Sequence, residues 1–271
     1  MENGKYKILV LSDLRKTTET ILKNTANLAN MIGGDIAMLH VKQPLGVVKQ
    51  DNQLSAVRSI NDTYTSTKKH IQQLVRPIQE AYGVKIDTSF KVGNIKELIN
   101  KKIEAYHPDI IVLGQRKSSR FNFLGDGIVK HIMSKFEGLV MIASHEHSMN
   151  ANKDLSLAVI NGNPDSMKIE LMDKLMKWTT KPLKSFKIAT GENTASTDGQ
   201  LKKGMVEYTF QPQDNVINNM SAYLSRTNVD LLFVDFADAA KANINVKNVI
   251  GKFNVPFLLA GNRKAQSTTT L

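Results

Sequence analysis

The chain has 271 residues, no cysteine, 41% hydrophobic residues, and 36 Lys+Arg against 25 Asp+Glu, a formal charge of +11. The length suggests about two domains at roughly 150 residues each, the apolar fraction excludes a disordered polymer, and the lack of Cys excludes disulfides, thiol nucleophiles and Cys-ligated zinc. The charge is spread, 21 basic against 14 acidic residues over 1–150 and 15 against 11 over 151–271, with few aromatics to stack bases, so no nucleic-acid surface is indicated.

The opening MENGKYKILVLSD carries charges within its first seven residues and no signal-peptide apolar segment. No apolar run approaches the roughly 18 residues of a membrane span, and the expectation is a soluble, cytoplasmic protein. KILVLS (7–12) is a short apolar run that suits a buried strand. Thr17 to Met31 has helical apolar spacing and ends at Gly33-Gly34. DIAMLHV (35–41) is a second strand, a long helix runs from about Val57 to Tyr82, and VKIDTSFKV (84–92) alternates as a third strand. NIKELINKKIEAY (94–106) is an amphipathic helix with Asn94 as N-cap and Glu97 at the capping-box position. DIIVLG (109–114) is a fully apolar strand, GIVKHIMSKF a helix, and LVMIA (139–143) a fifth strand. Strands alternating with helices in this way predict an α/β fold with a parallel, doubly wound sheet.

SHEHSMNANKD (144–154) is polar and aperiodic, a linker. After it the pattern restarts, with strands at 156–162, 183–190, 205–210, 230–236 and 256–261 and helices near 164–178 and 216–225. The restart is a repeat in residues as well as in pattern. VKHIMSKF (129–136) matches VKNVIGKF (246–253) at an offset of 117, whereas Asp109 matches Asp230 at 121. The second copy has therefore lost four residues after its fourth strand, where QRKSSRFNFLGDG is replaced by ADAAKANIN. The expected organisation is two tandem five-stranded domains, 1–145 and 152–264, each of strand order 3-2-1-4-5, with a linker at 146–151 and a flexible tail at 265–271. Edge strands as apolar as LVMIA need a partner, so 139–143 is expected to pair with 256–260 in an internal pseudo-dimer.

In an open parallel sheet, ligands sit beyond the carboxyl ends of the strands where the strand order reverses, here between strands one and four. Asp13 follows strand one, Gly114 ends strand four, and Gly125-Asp126-Gly127 opens the next helix, whose free N–H groups favour an anion. Arg116, Lys117 and Arg120 place three cations on that loop. Ordinary turn chemistry also uses such glycines, and the motif by itself names no ligand.

ILVLSD with its helix, MIGGDIAMLHV, VGNIKELINKKIEAYHPDIIVLG and the Gly loop together resemble, in order and spacing, the universal stress protein family; the likeness covers 5–143 and is fainter in the second half. The resemblance implies an intracellular stress-response protein binding ATP, with Mg²⁺, or a related adenine nucleotide in the first half. It implies the adenine nucleotide alpha hydrolase-like fold, and Leu11, Asp13, Val41 and Leu113 as nucleoside contacts. Its phosphate motif begins at Gly114, with Arg116 at a position often basic or His. Lys117 stands where the family has a second Gly, and either Gly127-Ile128 or Gly125-Asp126 stands where it has Gly-Ser or Gly-Thr, so the hydroxyl is absent. Asp126 opposes phosphate unless Arg116, Lys117 or Mg²⁺ offsets it. The second half, with Asn161-Gly162 for Ser12-Asp13 and Asp235 for Gly114, is expected to bind no nucleotide.

No catalytic residue is evident, so hydrolysis would at most be slow, and no metal motif is present. His145 and His147 read as solvated linker residues and His131 as a helix-surface residue. The competing reading is an interaction module whose basic loop docks an acidic partner or small anion; further homodimerisation and the protein partner are left open.

Overall fold

The computed structural model describes residues 5–43, 53–115, 127–144, 147–149, 154–160, 170–189, 204–211, 215–235 and 252–260. The basic loop with Arg116, Lys117, Arg120, Gly125 and Asp126 therefore lies outside the described residues, as do His145, Glu146, Asn161-Gly162 and the tail. The first half runs β1 (Tyr6–Ser12), α1 (Thr18–Ile32), β2 (Gly34–Lys42), α2 (Gln53–Tyr82), β3 (Ile86–Val92), α3 (Ile95–Tyr106), β4 (Ile110–Gly114), α4 (Ile128–Lys135) and β5 (Leu139–Ala143). The second runs β6 (Leu157–Ile160), α5 (Glu170–Met176), β7 (Leu183–Ile188), β8 (Met205–Phe210), α6 (Val216–Arg226), β9 (Leu231–Asp235) and β10 (Phe257–Ala260).

The central strands are buried on both faces: Ile8, Leu9 and Val10 of β1 and Ile110, Ile111 and Val112 of β4 are fully excluded from solvent. Helix α1 stops where Gly33 takes a left-handed φ of 73° and its N–H closes on the Ala29 carbonyl. Asn94 caps α3, its side chain accepting from the Glu97 N–H at 3.3 Å. Glu97 answers with an ion pair to Lys101 one turn on, at 2.7 Å.

The ten strands form one sheet of order β3-β2-β1-β4-β5-β10-β9-β6-β7-β8. The first five strands show the expected 3-2-1-4-5 order, and the second five repeat it in mirror sequence along the sheet. All pairings within each half are parallel; the junction alone is antiparallel, with Leu139 opposite Ala260 and Met141 opposite Leu258. The expected pairing of 139–143 with 256–260 thus joins the two five-stranded sheets into one continuous sheet with a pseudo-twofold at β5–β10. Two apolar clusters, one on each face, draw residues from both halves.

The repeat is visible in hydrogen bonds as well. The Asp109 carboxylate accepts the Lys7 backbone N–H at 2.8 Å, and Asp230 accepts the Ser156 N–H at 2.8 Å, each aspartate holding the start of its half's first strand. Between β7 and β8 no helix stands in place of α2 among the described residues. On β7, Ser185 takes the register position of buried Met38, and the neighbouring Lys187 pairs with Glu207 at 2.7 Å.

The segment after β5 differs from the solvated linker that its composition suggested. Met149 is 1% exposed, its N–H donates to Asn24 Oδ1 at 2.7 Å, and its carbonyl accepts from Asn27. The His147 carbonyl accepts from Asn24 Nδ2 at 3.2 Å, and its ring lies 3.5 Å from the Asp230 carboxylate. Residues 147–149 therefore strap α1 of the first half to the start of β9 in the second.

Candidate functional site

Strand order reverses between β1 and β4, and the chain leaves β1 through a tight turn there. Leu14 adopts a left-handed φ of 57°, and its N–H donates to Ser12 Oγ at 3.1 Å. Ser12 Oγ also meets Thr18 Oγ1, at 3.1 Å, at the start of α1. This turn turns Asp13 outward, where its carboxylate accepts the Arg15 N–H and pairs with Arg15 Nε, both at 3.2 Å.

A cleft of about 600 Å³ opens at this point. Its floor is the carboxyl end of β2, from His40 to Lys42, and its walls are the Asp13–Arg15 turn, Ser66, Thr67 and His70 of α2, and Ile95 at the start of α3. Helix α2 builds that wall because its length exceeds what the sheet needs: Ile71, Val75 and Ile78 anchor its C-terminal part in the core, and the turns before them rise beside the cleft. His40 is 9% exposed, bonds the Ser12 carbonyl through Nδ1 at 2.8 Å, and stacks on Phe90 of β3 at 5.5 Å. Burial pushes its pKa below the usual 6.5, against the opposing pull of the Ser12 carbonyl and Asp13.

Of the residues singled out from the sequence, the structure brings Asp13 and Val41 together in this cleft. Leu11, Val41, Leu113 and Ile128 share the apolar cluster on the α3/α4 face. Gly114 ends β4 with a packing duty of its own, since a Cβ there would run into the Ile21 side chain of α1. Gly127 has a φ of 62° at the start of α4, with Lys96 Nζ 3.4 Å from where its Cβ would be. His131, read as a helix-surface residue, is part-buried and joins α4 to α3 through Asn100 Oδ1 at 2.8 Å. Arg15, His40, Lys42 and His70 were not singled out from the sequence; the one available signal was a histidine inside the otherwise apolar DIAMLHV.

Strand register carries the comparison into the second half. Ile8 and Leu157 occupy equivalent places, opposite Ile110 and Leu231. Lys187 then stands at the position of His40, Thr209 at that of Phe90, and Asp235, opposite Ala260, at that of Gly114, opposite Ala143. The stacked ring pair of the first cleft is replaced there by a cation and a hydroxyl. Among the described residues, no group of three or more His, Asp or Glu side chains could hold a metal ion, and no helix is long and apolar enough to cross a membrane.

Comparisons with known proteins agree with this architecture. No curated protein sequence matches the chain. A universal stress protein from Archaeoglobus fulgidus DSM 4304 aligns over 96% of this chain and 97% of its own, with 17% identity and a TM-score of 0.69. A putative universal stress protein from Pseudomonas aeruginosa UCBPP-PA14 aligns over 96% and 94%, with 11% identity and a TM-score of 0.56. The Archaeoglobus fulgidus universal stress protein in complex with dAMP aligns over 51% and 95%, with 15% identity and a TM-score of 0.36. At these identities the first two likenesses speak for the fold, across both halves, and the dAMP belongs to the third protein. The universal stress protein family model matches residues 6–135, and the first half of the chain accordingly belongs to the universal stress protein family.

Proposed function

We propose that the first half binds one adenine nucleotide in the cleft beyond β1 and β2, and that the chain acts as a nucleotide-responsive stress protein. The observation that carries this reading is the meeting of Asp13 and Val41 in one cleft beside the strand-order reversal. Its volume of about 600 Å³ falls in the range of small-ligand sites. The residues fit a nucleoside: Asp13 offers a carboxylate for ribose hydroxyls, and Val41 a strand-end backbone for the ring. Arg15 and Lys42 add positive charge to the walls, and Lys96 adds it beside the start of α4. When bound, Mg²⁺ would arrive with the phosphates, since Asp13, the one carboxylate lining the cleft among the described residues, already pairs with Arg15. The reading is retention of the nucleotide rather than turnover.

Isothermal titration calorimetry with ATP·Mg²⁺, together with mass spectrometry of freshly purified, denatured protein, tests it. One site per chain is expected, weakened about tenfold or more by Asp13→Ala, as loss of a charged hydrogen-bond partner implies. No heat and no copurified nucleotide would remove the reading, and two sites per chain would overturn its restriction to the first half.

A further inference from the structure

The His40 ring is fixed from two sides. Nδ1 lies 2.8 Å from the Ser12 carbonyl. A carbonyl oxygen can only accept, so Nδ1 carries the proton, and the neutral ring keeps its lone pair on Nε2. Phe90 stacks on the ring at 16° between planes and is itself backed by Tyr64 of α2 at 5.3 Å. Rotation of the ring would break both the hydrogen bond and the stack. Among the described residues no bond occupies Nε2, and His40 is one of the residues that line the cleft. The titratable groups facing it are Asp13 from the turn after β1, Lys42 on its own strand and His70 on α2; β3 presents the face of Phe90. Burial favours the neutral ring near pH 7.

We propose that His40 Nε2 reads the polar edge of the bound base, accepting from an amino-purine when neutral and donating to an oxo-purine when protonated, so that acid inverts the preference. This rests on the nucleotide reading above and concerns which purine is held rather than whether one is. A neutral Nε2 facing a 6-oxo group sets two lone pairs against each other, whereas a 6-amino group supplies the missing proton. One such buried hydrogen bond corresponds to about a tenfold preference. The second half has Lys187 at this position, a permanent donor that cannot make the same choice.

AMP and IMP share ribose and phosphate and differ at one base edge, a 6-amino group beside an acceptor N1 against a 6-oxo group beside N1–H, so the ratio of their affinities cancels phosphate titration. Calorimetry of the full chain is expected to give about a tenfold preference for AMP at about pH 7.5, and parity or inversion at an acid pH below the lowered His40 pKa. His40→Gln, which carries a donor and an acceptor but does not titrate, should make the ratio independent of pH. His40→Phe keeps the stack on Phe90 and should abolish the preference. Nitrogen shifts of the imidazole in the unliganded protein should show the proton on Nδ1, whatever binds. A proton on Nε2, a wild-type ratio that ignores pH, or a titrating ratio retained in His40→Gln would each overturn the proposal while leaving nucleotide binding intact. Failure of both nucleotides to bind at either pH would overturn the nucleotide reading along with it.

Discussion

Lys184 shows how a duplicated core diverges at one residue. By strand register it stands where the first half has Ala37, a buried residue on the α3/α4 face. Its amine donates to Ser156 Oγ at 2.6 Å and to the Thr227 carbonyl at 3.0 Å, which offsets part of the desolvation. Burial still lowers its pKa from the usual 10.5, with Lys181 adding to the effect and Asp230 opposing it. A lysine whose folded pKa lies below its unfolded one is penalised while both states are protonated. The penalty fades as pH rises from the folded pKa toward 10.5. The wild type should therefore gain stability relative to Lys184→Met on going from about pH 7.5 to about pH 9.5, read as the difference in urea midpoints. Parallel midpoints across that range would show that Lys184 is solvated in the folded protein.

At the scale of elements, the strap at 147–149 explains polar residues that look misplaced on α1. Asn24 and Asn27 are 0% and 3% exposed on a helix whose other buried residues are mostly apolar, because they satisfy backbone groups of the strap. Asn24→Ala removes a donor to the His147 carbonyl and an acceptor for the Met149 N–H, leaving the latter buried without its partner. The expected cost is about 2–3 kcal/mol in urea unfolding; a cost under about 0.5 kcal/mol would mean that the strap contributes no net stability. The Asp230 carboxylate is part of the same device. Burial raises its pKa, but the His147 ring and the Ser156 N–H outweigh that and hold it below 3.8. The contribution of Asp230 itself is then present above that value and lost as pH falls through its lowered pKa.

These elements also mark what a sequence can and cannot reveal. The strands were legible because a strand buried on both faces must be an unbroken apolar run, as in KILVLS and DIIVLG. The helices were legible from period and caps, Gly33 and Asn94 among them. The strap was not, because SHEHSMN has no period and its partners on α1 lie 122 to 125 residues away. The cleft was legible in Asp13 and Val41, which follow from strand ends and a resemblance, but His40 hid inside an apolar strand. Its role depends on a register with Phe90 that only the folded sheet supplies.

At the scale of the whole molecule, the antiparallel junction removes two apolar edges at once. Met141 and Leu258 face each other there with no exposure, and the clusters on either face of the sheet run through the junction into both halves. The α5 region adds a second bridge, where Trp178, just past α5, donates through Nε1 to the Met31 carbonyl of α1 at 2.9 Å and Lys174 Nζ of α5 lies over the Tyr6 ring of β1 at 4.6 Å. Two halves sharing a core should unfold together, so urea denaturation followed by circular dichroism and by Trp178 fluorescence should give one coincident transition. Leu258→Asp would bury an unpaired carboxylate at the junction, at a cost of several kcal/mol. Because the damage is confined to the surface between the halves, the two probes should then separate, the fluorescence moving first as the α1–α5 bridge opens. Coincident transitions in Leu258→Asp at an unchanged midpoint would show that the continuous sheet does not couple the halves. Two transitions in the wild type would show that the halves are independent from the outset.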